Sequence, residues 1–267
     1  MSWAKRVVPL VLLAGAAVLA ALGGSWVGEL RAPVARAQPS VTSEPSPSAE
    51  DEPSYACRQP ALEIPQTPAC RRGRGYPHCR WQIPSPPPGG MYKIWRNTTP
   101  EHRWGRAGLV SLLLASAAEH RRRWPGERVT IGDLDAPGPR HTTHDAGHDV
   151  DLYLEHAMMA RNEHGGRYPD NYAGRPAEEV AGLRARVMDL AKMLATCARG
   201  EVRIYYNDPE IITPFRAWFE ARGLRSSVGE PMVAHNELHR FHFHLTVADS
   251  LEPLPVEPAV EERADVD

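Results

Sequence analysis

A single domain combining helices and strands is what the sequence predicts, and three features of the chain carry that expectation. Residues 107–124 and 177–197 place apolar side chains at helical spacing. Residues 149–154 and 241–247 alternate apolar with polar side chains, as half-buried strands do. Between a proline-rich segment near the amino terminus and an acidic carboxy terminus lie about 190 residues, enough for one sizeable core and too few for two.

Taken in order, the chain begins with Lys5 and Arg6 ahead of an uncharged apolar run from Val7 to Leu22, the layout of a bacterial secretory signal. Small-x-small sites at Ala21 to Gly23 and Ala35 to Ala37 suit cleavage, whereas extending the run to Val27 brings it close to membrane-spanning length. Residues 1–37 are therefore expected to be a signal peptide or an uncleaved membrane anchor through residues 7–27. On either reading the rest is exported or periplasmic, and on the second it is tethered to the inner membrane. No cysteine lies near either site, which argues against a lipoprotein. Residues 38–56 are dominated by Pro, Ser and Glu and cannot bury enough apolar surface to offset ordering, so a disordered linker is expected.

The domain is expected to span residues 57–250, with residues 57–90 as an extension of little secondary structure pinned by Cys57, Cys70 and Cys79. With Cys197 the cysteines number four, which in an exported chain suggests two disulfides and allows three pairings. A structural zinc site around Cys70, His78 and Cys79 is the alternative, but it lacks paired Cys-x-x-Cys spacing. The helix at 107–124 ends in Arg121, Arg122 and Arg123, as suits a helix carboxy terminus. A short buried strand follows at 129–134, then a histidine-bearing loop, then the strand at 149–154. Residues 156–172 are polar, contain Gly165, Gly166 and Pro169, and read as a long loop. Val180, Leu183, Val187, Leu190 and Leu194 form one stripe of the helix at 177–197. A strand at 201–206, a short helix around 215–221 and the histidine strand complete the domain. Residues 251–267 mix proline with acids and are expected to be a disordered acidic tail. A formal net charge of −2 and scattered arginines give no nucleic-acid footprint.

The chemistry sits in two segments. His141, His144 and Asp151 lie in one, and His239, His242 and His244 in the other. Imidazole plus carboxylate is the donor set of a catalytic zinc, with three protein ligands and a fourth position left for water. In the strand from Phe241, His242 and His244 share a face with Cα atoms roughly 7 Å apart, while Phe241, Phe243 and Leu245 take the core side. Asp149 and Asp151 likewise share a face opposite Val150 and Leu152. Gly147 lets the loop fold His144 back over the strand. His144, Asp151 and one of the later histidines would make a three-ligand set better suited to zinc than to calcium or magnesium. Asp149 would then hydrogen-bond a ligand histidine, or else be an exposed acid at the strand start.

At these residues the chain resembles the penicillin-insensitive murein endopeptidases, zinc peptidases of the wider lysostaphin, D-Ala-D-Ala peptidase and hedgehog group. That family has a histidine, a second three residues on, and an aspartate seven further, matched by His141, His144 and Asp151. Its closing His-x-x-His-x-His run is matched by His239, His242 and His244. The likeness covers about residues 90–250. Asp145 stands where the family has glutamine, Arg240 is basic where an acidic or small residue is usual, and the cysteines are fewer than in its best-known members.

The resemblance implies an α+β fold, a small mainly antiparallel sheet with flanking helices. It implies one zinc per chain on His144, Asp151 and His244, with His242 and His239 as catalytic histidines and His141 as a further site residue. The implied activity is hydrolysis of D-alanyl–diaminopimelyl cross-links between peptidoglycan peptide stems. A D-alanyl carboxypeptidase, or a non-catalytic zinc-containing module that binds cell wall, would be the alternatives. Tyr153, Tyr168 and Tyr172 are candidate walls of the substrate groove.

Overall fold

The computed structural model describes residues 54–69, 78–86, 89–135, 144, 146–161 and 168–258. The expected signal or anchor, most of the linker, Cys70, His141, Asp145 and residues 259–267 lie outside them. Among the described residues no helix is long and apolar enough to cross a membrane.

Among the described residues three α-helices and two sheets give an α+β architecture. In chain order the elements are β1 (Gln66–Ala69), β2 (His78–Gln82), β3 (Tyr92–Ile94), β4 (Trp104–Arg106), α1 (Ala107–Arg123), β5 (Val129–Ile131) and β6 (Asp149–Tyr153). Then follow α2 (Ala177–Cys197), β7 (Val202–Tyr205), α3 (Pro209–Ala221), β8 (Met232–Val233) and β9 (Phe243–Val247). The main sheet runs β3-β5-β6-β9-β7-β8. Its two outer pairs, β3 with β5 and β7 with β8, are parallel, and the pairs between them are antiparallel.

Alternation along the central strands decides which face holds the core. Val150 and Leu152 of β6, Val202 and Ile204 of β7, and Phe243 and Leu245 of β9 are buried in one cluster with Leu109, Leu112 and Leu113 of α1 and Leu183, Val187, Leu190 and Leu194 of α2. Fully burying such a side chain contributes about 1.5–3 kcal/mol. Ile211, Phe215 and Phe219 of α3 join the same cluster. The helices therefore cover one face of the sheet and leave the polar residues of β6, β7 and β9 on the other.

Several expectations are corrected. Helix α3 starts at Pro209, six residues before the expected 215. The Asp208 side chain accepts from the Glu210 amide and caps it, and proline suits the first helical turn. Strand β5 ends at Ile131 rather than 134. Residues 57–90 do have secondary structure: β1 and β2 pair antiparallel, and β2 continues onto β4. The linker's end is docked, since the Tyr55 hydroxyl donates to Asp189 Oδ1 at 2.9 Å. Cys57 is bonded to Cys197 at the end of α2.

The acidic tail is also docked over residues 251–258. Gln59 N donates to Pro255 O at 2.8 Å and Glu257 N to Gln59 O at 2.7 Å. Leu254 N reaches Ser111 Oγ on α1 at 2.6 Å. Leu251 and Leu254 pack against the core, apolar anchors easily overlooked among prolines and glutamates. Gly108 makes the approach feasible, because a Cβ there would overlap the Leu251 carbonyl.

Candidate metal centre

The register of β6 and β9 builds the site. Asp151 pairs with His244 and Asp149 with Thr246, so four polar side chains stand side by side on the face away from the helices. His144 arrives from the loop before β6. Gly147 follows it at φ +72, and a Cβ there would come within 3.3–3.4 Å of Gly105 Cα and Arg106 N. The Arg106 amide donates to Gly147 O at 2.7 Å and its Nε to Ala146 O at 3.2 Å, which holds the loop against β4.

His144 Nε2, His244 Nδ1 and Asp151 Oδ1 form a triangle with sides of 3.2, 3.3 and 3.5 Å. All three residues are buried, and together they form a group that could hold a metal ion. Ligand atoms held about 2.0–2.1 Å from a tetrahedral ion are about 3.3–3.4 Å apart, so the triangle has the size of three corners of such a site. His242 Nε2 also stands 3.5 Å from Asp151 Oδ1. One carboxylate oxygen thus faces three ring nitrogens. The set converges on a point more than it pairs off.

Behind the trio, Asp149 Oδ1 lies 3.3 Å from His244 Nε2 and accepts from the Thr246 hydroxyl at 2.6 Å. Asp149 is buried, so of its two readings the exposed strand-start acid is corrected. Its other oxygen is 3.3 Å from His148 Nε2, whose Nδ1 is 3.1 Å from Asp249.

Burial opposes the charged form of His244, but hydrogen bonds to Asp149 and Asp151 outweigh it and raise its pKa to about 9. Burial dominates at His242, where the pull of Asp151 is partly cancelled by His244 and His144, and its pKa falls to about 4. His239, buried beside His242, His244 and His235, is lowered to about 3. Asp151 would be raised by burial; His242 and the hydrogen bonds from His144 and His244 instead hold it well below the usual carboxylate range.

His239 stands next to this set, its ring 5.0 Å from that of His242 and edge-on to His244 at 5.8 Å. The strand expected from Phe241 begins only at Phe243; a 3-10 turn, Glu237–Arg240, leads into it. His242 therefore precedes β9, and Phe241 leaves the main core for a small cluster with Tyr153 and Ala160. The reason is local: the chain is still turning at Phe241, so the alternation begins two residues late. Tyr153 stacks on Trp95 at 4.5 Å, Tyr168 on Phe241 at 4.3 Å, and Tyr153 lies 5.1 Å from His242. Tyr172 is elsewhere, under Arg184, and does not wall the site.

Sequence reasoning missed Tyr205 and His235. Tyr205 on β7 pairs with His244, its ring 5.5 Å from that of His244 and 4.7 Å from that of His235. His235 Nδ1 is 3.3 Å from His239 Nδ1. Alternation in Val202 to Tyr205 was the available signal for Tyr205, but only the ladder reveals its neighbour. Compared with known proteins, the chain matches no family model and no curated protein.

Proposed function

We propose that the chain is a zinc peptidase that hydrolyses D-alanyl–diaminopimelyl cross-links of peptidoglycan. The observation that carries this reading is the buried His144–Asp151–His244 triangle, sized for a tetrahedral ion, with His242 against the same carboxylate oxygen. Two imidazole nitrogens and one carboxylate oxygen suit zinc; calcium and magnesium favour more numerous oxygen ligands. The substrate comes from the resemblance in the two histidine motifs and from the expected export of the chain, whether residues 1–37 are a signal peptide or an anchor.

Zinc, when bound, supplies a Lewis acid for the scissile carbonyl and acidifies a water from a pKa of about 16 towards 7. The chain's own residues do the rest. Asp149 and Thr246 fix the His244 ring from behind. His242, neutral in its buried setting and with Nε2 3.5 Å from Asp151 Oδ1, is placed to take a proton from the attacking water and return it to the leaving amine. The aromatic cluster of Trp95, Tyr153, Tyr168 and Phe241 walls the His242 side and limits solvent there.

Digestion of purified cross-linked muropeptides with the zinc-loaded protein, followed by mass spectrometry, is the test. Dimers should give way to monomers. Loss of a single D-alanine from monomers would make the enzyme a carboxypeptidase, and unchanged muropeptides would sink the peptidase reading.

A further inference from the structure

Strand β7 carries onto the polar face a cation with no carboxylate partner among the described residues. Arg203 and Tyr205 alternate with the core residues Val202 and Ile204. The ladder sets Arg203 beside Thr246 and Tyr205 beside His244. Arg203 Cζ lies 4.8 Å from the centre of the Tyr205 ring, which is itself 5.5 Å from the His244 ring. Gly229 also lies against the guanidinium, where a Cβ would come within 3.3 Å of Nη1. Arg203 Nε is buried without a hydrogen bond.

The neighbouring acids are engaged elsewhere. Glu230 pairs with Arg216 at 2.7 Å, Glu201 accepts from Ser227, and Asp149 serves His244 and Thr246. A guanidinium cannot shed its proton, and its planar fork matches a carboxylate through two parallel hydrogen bonds. The place of Arg203 over the Tyr205 ring is a cation–π contact that holds the guanidinium there before any ligand arrives.

We propose that Arg203, seated on Tyr205, docks a free carboxylate of the substrate peptide and makes the site prefer acidic peptide stems to amidated ones. This rests on the peptidase reading of the same face. Arg203 and Tyr205 are one strand repeat apart, about 7 Å. The ladder sets Tyr205 beside His244, so an extended substrate cut at His244, rising about 3.3 Å per residue, brings a carboxylate about two residues away level with Arg203.

The test uses the zinc-loaded full chain and cross-linked muropeptide dimers, with their carboxylates free or chemically amidated. Binding is read by calorimetry and cleavage by mass spectrometry. The wild type should bind the free-acid dimers about 10- to 100-fold more tightly than the amidated ones, the range of a hydrogen bond to a charged group. Arg203→Gln should remove that preference by weakening only the free-acid form, and Arg203→Lys should restore part of it. Equal wild-type affinity for both forms, binding of neither, or an equal loss on both in Arg203→Gln would overturn the proposal. Dimers bound with the preference yet left uncut would remove the peptidase reading and leave the carboxylate site standing.

Discussion

At the residue scale the site turns on Asp151, whose one oxygen is faced by three imidazoles. Removing a ligand and removing a neighbour should therefore fail differently. His144→Ala and His244→Ala should lose zinc and activity together. His242→Ala should keep its zinc while turnover falls by roughly 100- to 10,000-fold, the usual share of a general acid–base group. Bound zinc and cross-link cleavage measured on each variant decide it, and loss of metal from His242→Ala alone would invert the roles of His242 and His244. Acidity gives a second expectation. Asp149 and Asp151 hold a proton on metal-free His244 up to about pH 9, and a ligand must be neutral, so binding zinc displaces that proton. Affinity should then rise about tenfold per pH unit between about 7 and 9 and level off above, as read by chelator competition. A flat profile would show that binding zinc displaces no proton from His244.

At the element scale, the pairing of β6 with β9 makes a site out of residues ninety-three positions apart. Its edge is packed tightly: a Cβ at Gly132, next to β6, would lie 2.9 Å from Asp151 Cβ and 3.0 Å from Tyr153 Cε2. Gly132→Ala should cost about 1–3 kcal/mol of stability and weaken zinc binding by displacing Asp151. Denaturant midpoints and metal competition would both move; if neither does, the strand edge has slack that the contacts do not suggest. His144 and Asp151 were legible beforehand because motif spacing and polar alternation sit in the same segment, whereas alternation left His242 and His244 equivalent and the family resemblance alone chose His244. Arg203, Tyr205 and His148 were not legible, because each acquires its role only from the strand or loop beside it. Helix α2 was readable to the residue from its apolar stripe. The start of α3 was hidden by two prolines, Pro209 and Pro214, which argue against a helix until Asp208 is seen as its cap.

For the whole molecule, the disulfide between Cys57 and Cys197 closes a sequence separation of 140 residues. Constraining so long a loop in the unfolded chain suggests that replacing both cysteines by alanine lowers stability by about 2–5 kcal/mol, measurable by urea denaturation. With that bond assigned, Cys70 and Cys79 have only each other as disulfide partners within the chain. Thiol titration of the denatured protein, produced in an oxidising compartment, should find essentially no free cysteine, and two free thiols would show that the second bond is absent.

The two straps have a practical side. Tyr55 and Cys57 fasten to α2, Leu254 fastens to α1, and Gln59 bridges to Val256, so both ends of the domain lie along the helical layer. The metal ligands are on the opposite face of the sheet. A fluorescent label or support attached near Tyr55 or Glu257 would therefore sit on the helical side, away from the face that must meet an insoluble polymer too large to diffuse.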